Sequence, residues 1–289
     1  MGKLRFWIPN AITSAGIVCA ALSIQESIDG HYRTAAWWAM YCLLTDKIDG
    51  AAARMLKASS AFGAQMDSFS DFFSFGVAPA VLYYSFYSRT PSLGWTDPAH
   101  HVLLLCLVIF HLVCVAGRLA RFNVVHDIKG AERFFFGWPT TYIGGMLSAF
   151  FVFCLKYGDP ALTANDPSDD HIRIFGDLST TGALAWLPWA MVPGGLTMIS
   201  KLRLPKVNRT GTRWIDALML ANFLGGYSSG LLRRFPEYLV AGSITYMFIA
   251  MRYHWFVEYP KKIKMPPLFP DDTEAAAPHH EEQGRDAHG

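Results

Sequence analysis

Apolar residues in this chain gather into runs of roughly 20, the length a helix needs to cross the hydrocarbon core of a bilayer. Eight such runs are discernible, at about Ile8–Gln25, Arg33–Arg54, Gly63–Ser88, Val102–Arg121, Gly137–Tyr157, Leu184–Leu202, Trp214–Leu231 and Phe235–Phe256. In lipid, backbone N–H and C=O groups must be paired internally, so runs of this length predict helices. Composition agrees: of 289 residues 52% are hydrophobic and 17% charged, where a soluble domain has about 25% charged. The expected fold class is all-α, a polytopic membrane helix bundle of about eight transmembrane helices. A net charge of +2 gives no reason to expect nucleic acid. Cys19, Cys42, Cys106, Cys114 and Cys154 lack any ligand spacing and read as small core hydrophobes. The basic and apolar start superficially resembles a secretory signal, but a first membrane helix is the expected reading.

Set into this apolar frame, the stretch from Asp46 to Asp71 reads DKIDGAAARMLKASSAFGAQMDSFSD. A charge at a bilayer centre costs roughly 2.5–3.5 kcal/mol, so acids clustered there call for a partner. Asp46 and Asp49 are spaced i,i+3 and Asp67 and Asp71 i,i+4, so on helices each pair projects from one face. Two such helices facing each other would converge four carboxylates, a donor set suited to a hard divalent cation such as Mg²⁺. Gly50 and Ala53 fall on the stripe of Asp46 and Asp49, and Gly63 lies one turn before Asp67, which bares backbone where a ligand can approach. Arg54 adds a fork of donors suited to phosphate. The alternative, acids standing in polar loops, would leave both the helical spacing and the small residues as coincidences.

The pattern Asp49-Gly50-x-x-Ala53-Arg54, eight residues, Gly63-x-x-x-Asp67-x-x-x-Asp71, with Asp46 three before, resembles the signature of the CDP-alcohol phosphatidyltransferase family. That resemblance implies a six-helix family core, here with two further helices, and transfer of a phosphatidyl-type group from a CDP-linked lipid to an alcohol with release of CMP. It implies Asp46, Asp49 and Asp67 as principal ligands of Mg²⁺ or Mn²⁺, with Asp71 sharing the metal site or taking the proton of the acceptor. Asp49, Gly50, Ala53, Arg54 and Gly63 would receive the CDP-lipid. Pro9-Asn10-x-x-Thr13 is similar to the segment with which the family opens its first helix.

Three further stretches resemble the branch of the family whose acceptor is serine: Asp67-Ser68-x-x-Asp71-x-x-Ser74-Phe75-Gly76-Val77-Ala78-Pro79, Arg118-Leu119-Ala120-Arg121-Phe122-Asn123, and Phe136-Gly137-x-Pro139. Trp138 departs from that branch, which commonly has Leu there, and an interfacial anchor is one reading of it. The implied partners are CDP-diacylglycerol, L-serine, CMP and membrane lipids, with room for a homodimer. Other acceptors within the class are glycerol 3-phosphate, an inositol phosphate or choline. A cation-coupled transporter is the competing class, since intramembrane acids also mark ion pathways. A transporter would favour acids recurring in two related halves, however, and here they stand in adjacent runs.

Arg118 and Arg121, spaced i,i+3, could hold a serine carboxylate or a donor phosphate, or serve only as orientation signals. Asn123 could orient an acceptor group or cap a helix. His111, alone in mid-run, reads as a core histidine, and Phe134–Phe136 as a packing or interface feature. Pro79 is expected to kink the third run without ending it. With both ends inside, the inner segments carry most Lys and Arg, which predicts a cytoplasmic active site, and the family resemblance implies a bacterial inner membrane; Arg233 and Arg234 run against the charge pattern. Residues 1–264 form the expected membrane domain. Residues 265–289, rich in Pro, acids and His, form the expected disordered cytoplasmic tail.

Overall fold

The computed structural model describes residues 4–58, 60–126, 134–164, 166, 172–176, 178–205, 221, 224–253 and 255. The expected tail and half of the seventh apolar run lie outside the described residues. Helix α1 (Leu4–Asp29) and helix α2 (Tyr32–Met55) form an antiparallel hairpin turned at Gly30, whose φ of +89° suits a residue without Cβ. Their close approach follows from small side chains: Ala20, Ala35, Ala36, Ala39 and Cys42 are buried in the bundle, and Ser23 Oγ donates to the Ala35 carbonyl at 2.8 Å. Helix α2 ends where Lys57 adopts φ 48° and the Ala58 N–H bonds the Ala53 carbonyl at 2.9 Å. This is the left-handed helix stop usually given to glycine. Ser60 then caps helix α3 (Ala61–Asp71), accepting the Gly63 N–H at 3.0 Å.

The third apolar run continues through a π-helical turn (Phe72–Val77) into helix α4 (Ala78–Ser88). Pro79 has no N–H to offer the Phe75 carbonyl four residues before it. His111 from helix α5 (Pro98–His126) supplies the missing donor, its Nε2 lying 3.0 Å from that oxygen. A carbonyl only accepts, so Nε2 carries the proton, while the fully buried Nδ1 faces no partner among the described residues. Two glycines allow this turn to be clasped. A Cβ at Gly144 would fall 2.9 Å from Phe75 Cα, and one at Gly76 would fall 3.2 Å from Val115 Cγ1.

Helix α6 (Thr140–Tyr157) follows strand β1 (Phe134–Phe136), and helices α7 (Thr181–Trp186) and α8 (Met191–Ile199) are joined by a 3-10 turn at Leu187–Ala190. Strand β2 (Arg203–Pro205) pairs antiparallel with β1, Phe135 opposite Leu204, and this ladder is the only strand pairing among the described residues. The class is all-helical. Helical residues 224–231 (α9) lead to helix α10 (Pro236–Tyr253). The first half of helix α10 is fastened to both ends of α6: Tyr142 Oη donates to the Ser243 carbonyl at 2.6 Å, and Lys156 Nζ pairs with Glu237 at 2.7 Å. At the start of α2, Thr34 N–H and Oγ1 bond the Asp166 carboxylate at 2.7 and 2.9 Å, so the loop after α6 caps α2.

The core is aromatic. Tyr83, Phe86, Tyr87 and Phe151 are fully buried, with Phe86 and Phe151 edge to face at 5.0 Å. On the outside, Val102, Leu105, Ile109 and Val113 form an exposed stripe along α5 at helical spacing. Such a stripe is unfavourable in water and neutral in lipid. Arg5–Asp29, Pro98–Val124 and Thr181–Ile199 are long and apolar enough to cross a membrane. Helix α2 falls short of that measure because it carries Asp46, Lys47, Asp49 and Arg54. These features describe an integral membrane protein, with four acids gathered at one end of the α2–α3 pair.

Candidate active site

That place is built by α1, α2, α3 and α6. One ligand oxygen from each of Asp46, Asp49 and Asp67 lies within 4.8 Å of the others. Asp49 is buried, whereas Asp46 and Asp67 are open to solvent at least in part. Two like charges about 5 Å apart repel by roughly 3 kcal/mol at an effective dielectric of 20, so a cation among three converging carboxylates would offset a large part of their repulsion. An all-oxygen donor set of this kind fits Mg²⁺ or Mn²⁺. Asp49 is held in place by Thr13 Oγ1 at 2.7 Å and by the Gly50 N–H at 2.6 Å. Asp46 Oδ2 receives Lys47 Nζ at 2.8 Å.

The fourth acid is held differently. Asp71 is buried at the head of the π-helical turn, and Thr140 Oγ1, at the first turn of α6, donates to its Oδ2 at 3.3 Å. Arg118 Nη1 donates in turn to that hydroxyl at 3.4 Å, so a guanidinium, a hydroxyl and a carboxylate stand in line. Asp71 is thereby set apart from the triad of the other three.

The two arginines of the Arg118–Asn123 stretch separate in the same way. Arg121 bonds the carbonyls of Met198 and Ile199 at 2.7 Å and of Ser200 at 3.1 Å, capping the end of α8. Arg118 is buried, stacks over Phe122 at 5.1 Å, and among the described residues makes one long hydrogen bond from its five N–H donors. Asn123 Oδ1 accepts from Ser68 Oγ at 3.1 Å, next to Asp67. Arg54 is exposed at the last turn of α2 and enters no ion pair among the described residues. A Cβ at Gly50 would meet only Arg54 Nη1, at 3.4 Å, so this backbone is open; one at Gly63 would lie 3.1 Å from Ser60 Oγ and 3.2 Å from Asn10 Oδ1. Gly63 thus serves the packing of α3 on α1 as well. Ala53 lies half-buried on α2.

Three residues of the site carry no role in the sequence reading: Thr13, Lys47 and Thr140. Thr13 closes the Pro9-Asn10-x-x-Thr13 segment, and a polar residue inside an apolar run was the available signal. Thr140 gives no such signal. Trp138 is not an interfacial anchor: it is buried, stacked on Tyr142 at 4.5 Å and edge-on to Tyr246 of α10 at 6.0 Å.

Fold and site together define a helical integral membrane protein with a carboxylate centre suited to a divalent cation. The chain belongs to the CDP-alcohol phosphatidyltransferase family, whose model matches residues 6–194. It is similar to a CDP-diacylglycerol–serine O-phosphatidyltransferase of Mycobacterium tuberculosis, 34% identical over 137 residues, 46% of this chain and 44% of the relative. A protein of the same description from Bacillus subtilis is 32% identical over 139 residues, 48% of this chain and 71% of the relative. An archaetidylserine synthase of Methanothermobacter thermautotrophicus is 33% identical over 147 residues, 50% of this chain and 58% of the relative. The match to the mycobacterial relative spans less than half of that protein's length.

Proposed function

We propose that this chain transfers a phosphatidyl group from CDP-diacylglycerol to L-serine, releasing CMP. The observation that carries the reading is the convergence of Asp46, Asp49 and Asp67 on one point, from the spacing that marks the family. Asp46, Asp49 and Asp67 would hold Mg²⁺ or Mn²⁺, which when bound supplies charge neutralisation to the pyrophosphate. The open backbone at Gly50, with Ala53 and Gly63, leaves room for the nucleotide end, and Arg54 lies at the rim. The serine hydroxyl oxygen forms the new bond to the lipid-side phosphorus as the bond to the CMP oxygen breaks. Asp71, oriented by Thr140, takes the hydroxyl proton. Arg118 has unused donors in a buried setting and would pair with the serine carboxylate, while Arg121 and Asn123 keep α8 and Ser68 in position around it.

The same reading includes eight membrane helices, both ends on the cytoplasmic side of a bacterial inner membrane, a domain over residues 1–264 and a separate tail over 265–289. It leaves room for a homodimer. In support, Thr34 at the start of α2 and Asp166 beyond the end of α6 meet, whereas Asp71 meets Thr140 at the start of α6. The acids therefore sit at the end of α2 that lies toward the start of α6, the side to which this reading assigns the basic segments. Purified protein given CDP-diacylglycerol and a panel of alcohols decides the activity: CMP release with serine, and little with ethanolamine, is expected. Turnover of glycerol 3-phosphate instead would keep the class and overturn the acceptor.

A further inference from the structure

Lys47 stands at a position the family pattern leaves unrestricted, between Asp46 and Asp49. Among the described residues it is the cation in salt-bridge contact with the carboxylate triad, 2.8 Å from Asp46 Oδ2. Its charge extends beyond that contact, since Asp49, Asp67 and Asp71 all lie within its electrostatic range. Arg54, the cation of the motif itself, pairs with none of them.

The Lys47 side chain keeps 47% of its exposure, against 15% for Asp46, so the ammonium can be reached by a ligand arriving at the acids. A divalent cation held by the triad would draw on the same carboxylate and loosen the Lys47–Asp46 pair, which would leave the ammonium available to an anionic group of a substrate. Tyr227 of α9 and Tyr246 of α10 also lie within range of the ammonium. Both helices follow residue 194, where the family match ends. The surroundings of Lys47 are therefore partly built by a region that the family pattern does not cover.

We propose that Lys47 is a substrate-binding residue, which rests on Asp46 in the free protein and pairs with an oxyanion of the bound substrate. The inference rests on the phosphatidyltransferase reading. The oxyanion has two sources, the pyrophosphate of the donor and the carboxylate of the acceptor. The test uses full-length wild type, K47Q and K47R, with Mn²⁺ affinity by electron paramagnetic resonance, CMP affinity by calorimetry with Mn²⁺ present, and both Michaelis constants. In K47Q, Mn²⁺ binding should hold or tighten, because a competing cation is gone. If the donor supplies the oxyanion, CMP affinity and the KM for CDP-diacylglycerol should both weaken about tenfold or more; if the acceptor does, the KM for serine alone should rise by that factor. K47R should restore most of either loss.

CMP affinity and both constants within about twofold of wild type in K47Q would overturn the proposal and leave Lys47 a counter-ion. A roughly tenfold loss of Mn²⁺ affinity in K47Q would also overturn it, showing that Lys47 only positions Asp46. If wild type releases CMP with no alcohol at all, the phosphatidyltransferase reading fails by itself. CMP affinity of K47Q then decides Lys47: a tenfold loss keeps it as an oxyanion-binding residue, and an unchanged value overturns it.

Discussion

At the scale of single residues, the site divides into groups that would touch a cation or substrate and groups that hold them in place. Thr13 belongs to the second kind, its hydroxyl fixing Asp49 at 2.7 Å. Thr13→Val is expected to weaken Mn²⁺ binding about tenfold to a hundredfold, the usual effect of removing a partner of a metal ligand; unchanged binding by paramagnetic resonance would remove Thr13 from the site. Asp46→Ala, Asp49→Ala or Asp67→Ala should abolish cation-dependent CMP release while the protein still inserts. For the arginines the forecasts diverge. Arg118→Ala should raise the KM for serine roughly tenfold to a hundredfold, the worth of a charge-assisted hydrogen bond of about 1.5–3 kcal/mol. Arg121→Ala, which uncaps α8, should chiefly lower the thermal unfolding midpoint. If the two variants instead raise the KM for serine equally, the division drawn from their hydrogen bonds is wrong. Both arginines and their spacing were visible in the sequence. Which of them had carbonyls to bond depended on where α8 came to lie.

At the scale of elements, the π-helical turn and the α6–α10 contact carry the consequences. The turn puts one extra residue between Asp71 and Pro79, and its bare Phe75 carbonyl is met by His111. His111→Phe should cost about 1–3 kcal/mol through that unpaired buried carbonyl, read as a lower midpoint in detergent; a variant as stable as wild type would mean that the carbonyl finds another donor. The sequence supported a kink at Pro79 and a core histidine, but nothing in it placed His111 against the Phe75 carbonyl, 36 residues away. Trp138 teaches the same lesson. Substituting the Leu usual in the branch should leave a cavity beside Tyr142 and Tyr246 and destabilise by about 1–3 kcal/mol, with a smaller effect on catalysis than on the unfolding midpoint.

Over the whole molecule, the arrangement of charge carries the proposed orientation. Cysteine probes at Asp169 should be labelled from outside, and probes at Lys57 and Lys129 should be protected; the opposite pattern would invert the chain and place the acids on the wrong face for cytoplasmic nucleotide. Deleting the residues after Pro270 should leave CMP release intact, and its loss would show that the tail contributes to the site.

The sequence by itself determined the helical class and the family and singled out four aspartates, because bilayer-length apolar runs and i,i+3 or i,i+4 spacing are local properties of a helix. Only the tertiary structure decided how the four divide, with Asp46, Asp49 and Asp67 converging and Asp71 turned to Thr140. It also decided that Lys47, not Arg54, lies among the acids, and that Arg121 serves α8. The physical reason is common to all three. A helix repeat dictates which side chains share a face, but which neighbouring helix meets that face depends on packing at Gly16, Gly63, Gly76 and Gly144, where contacts join residues far apart in the chain.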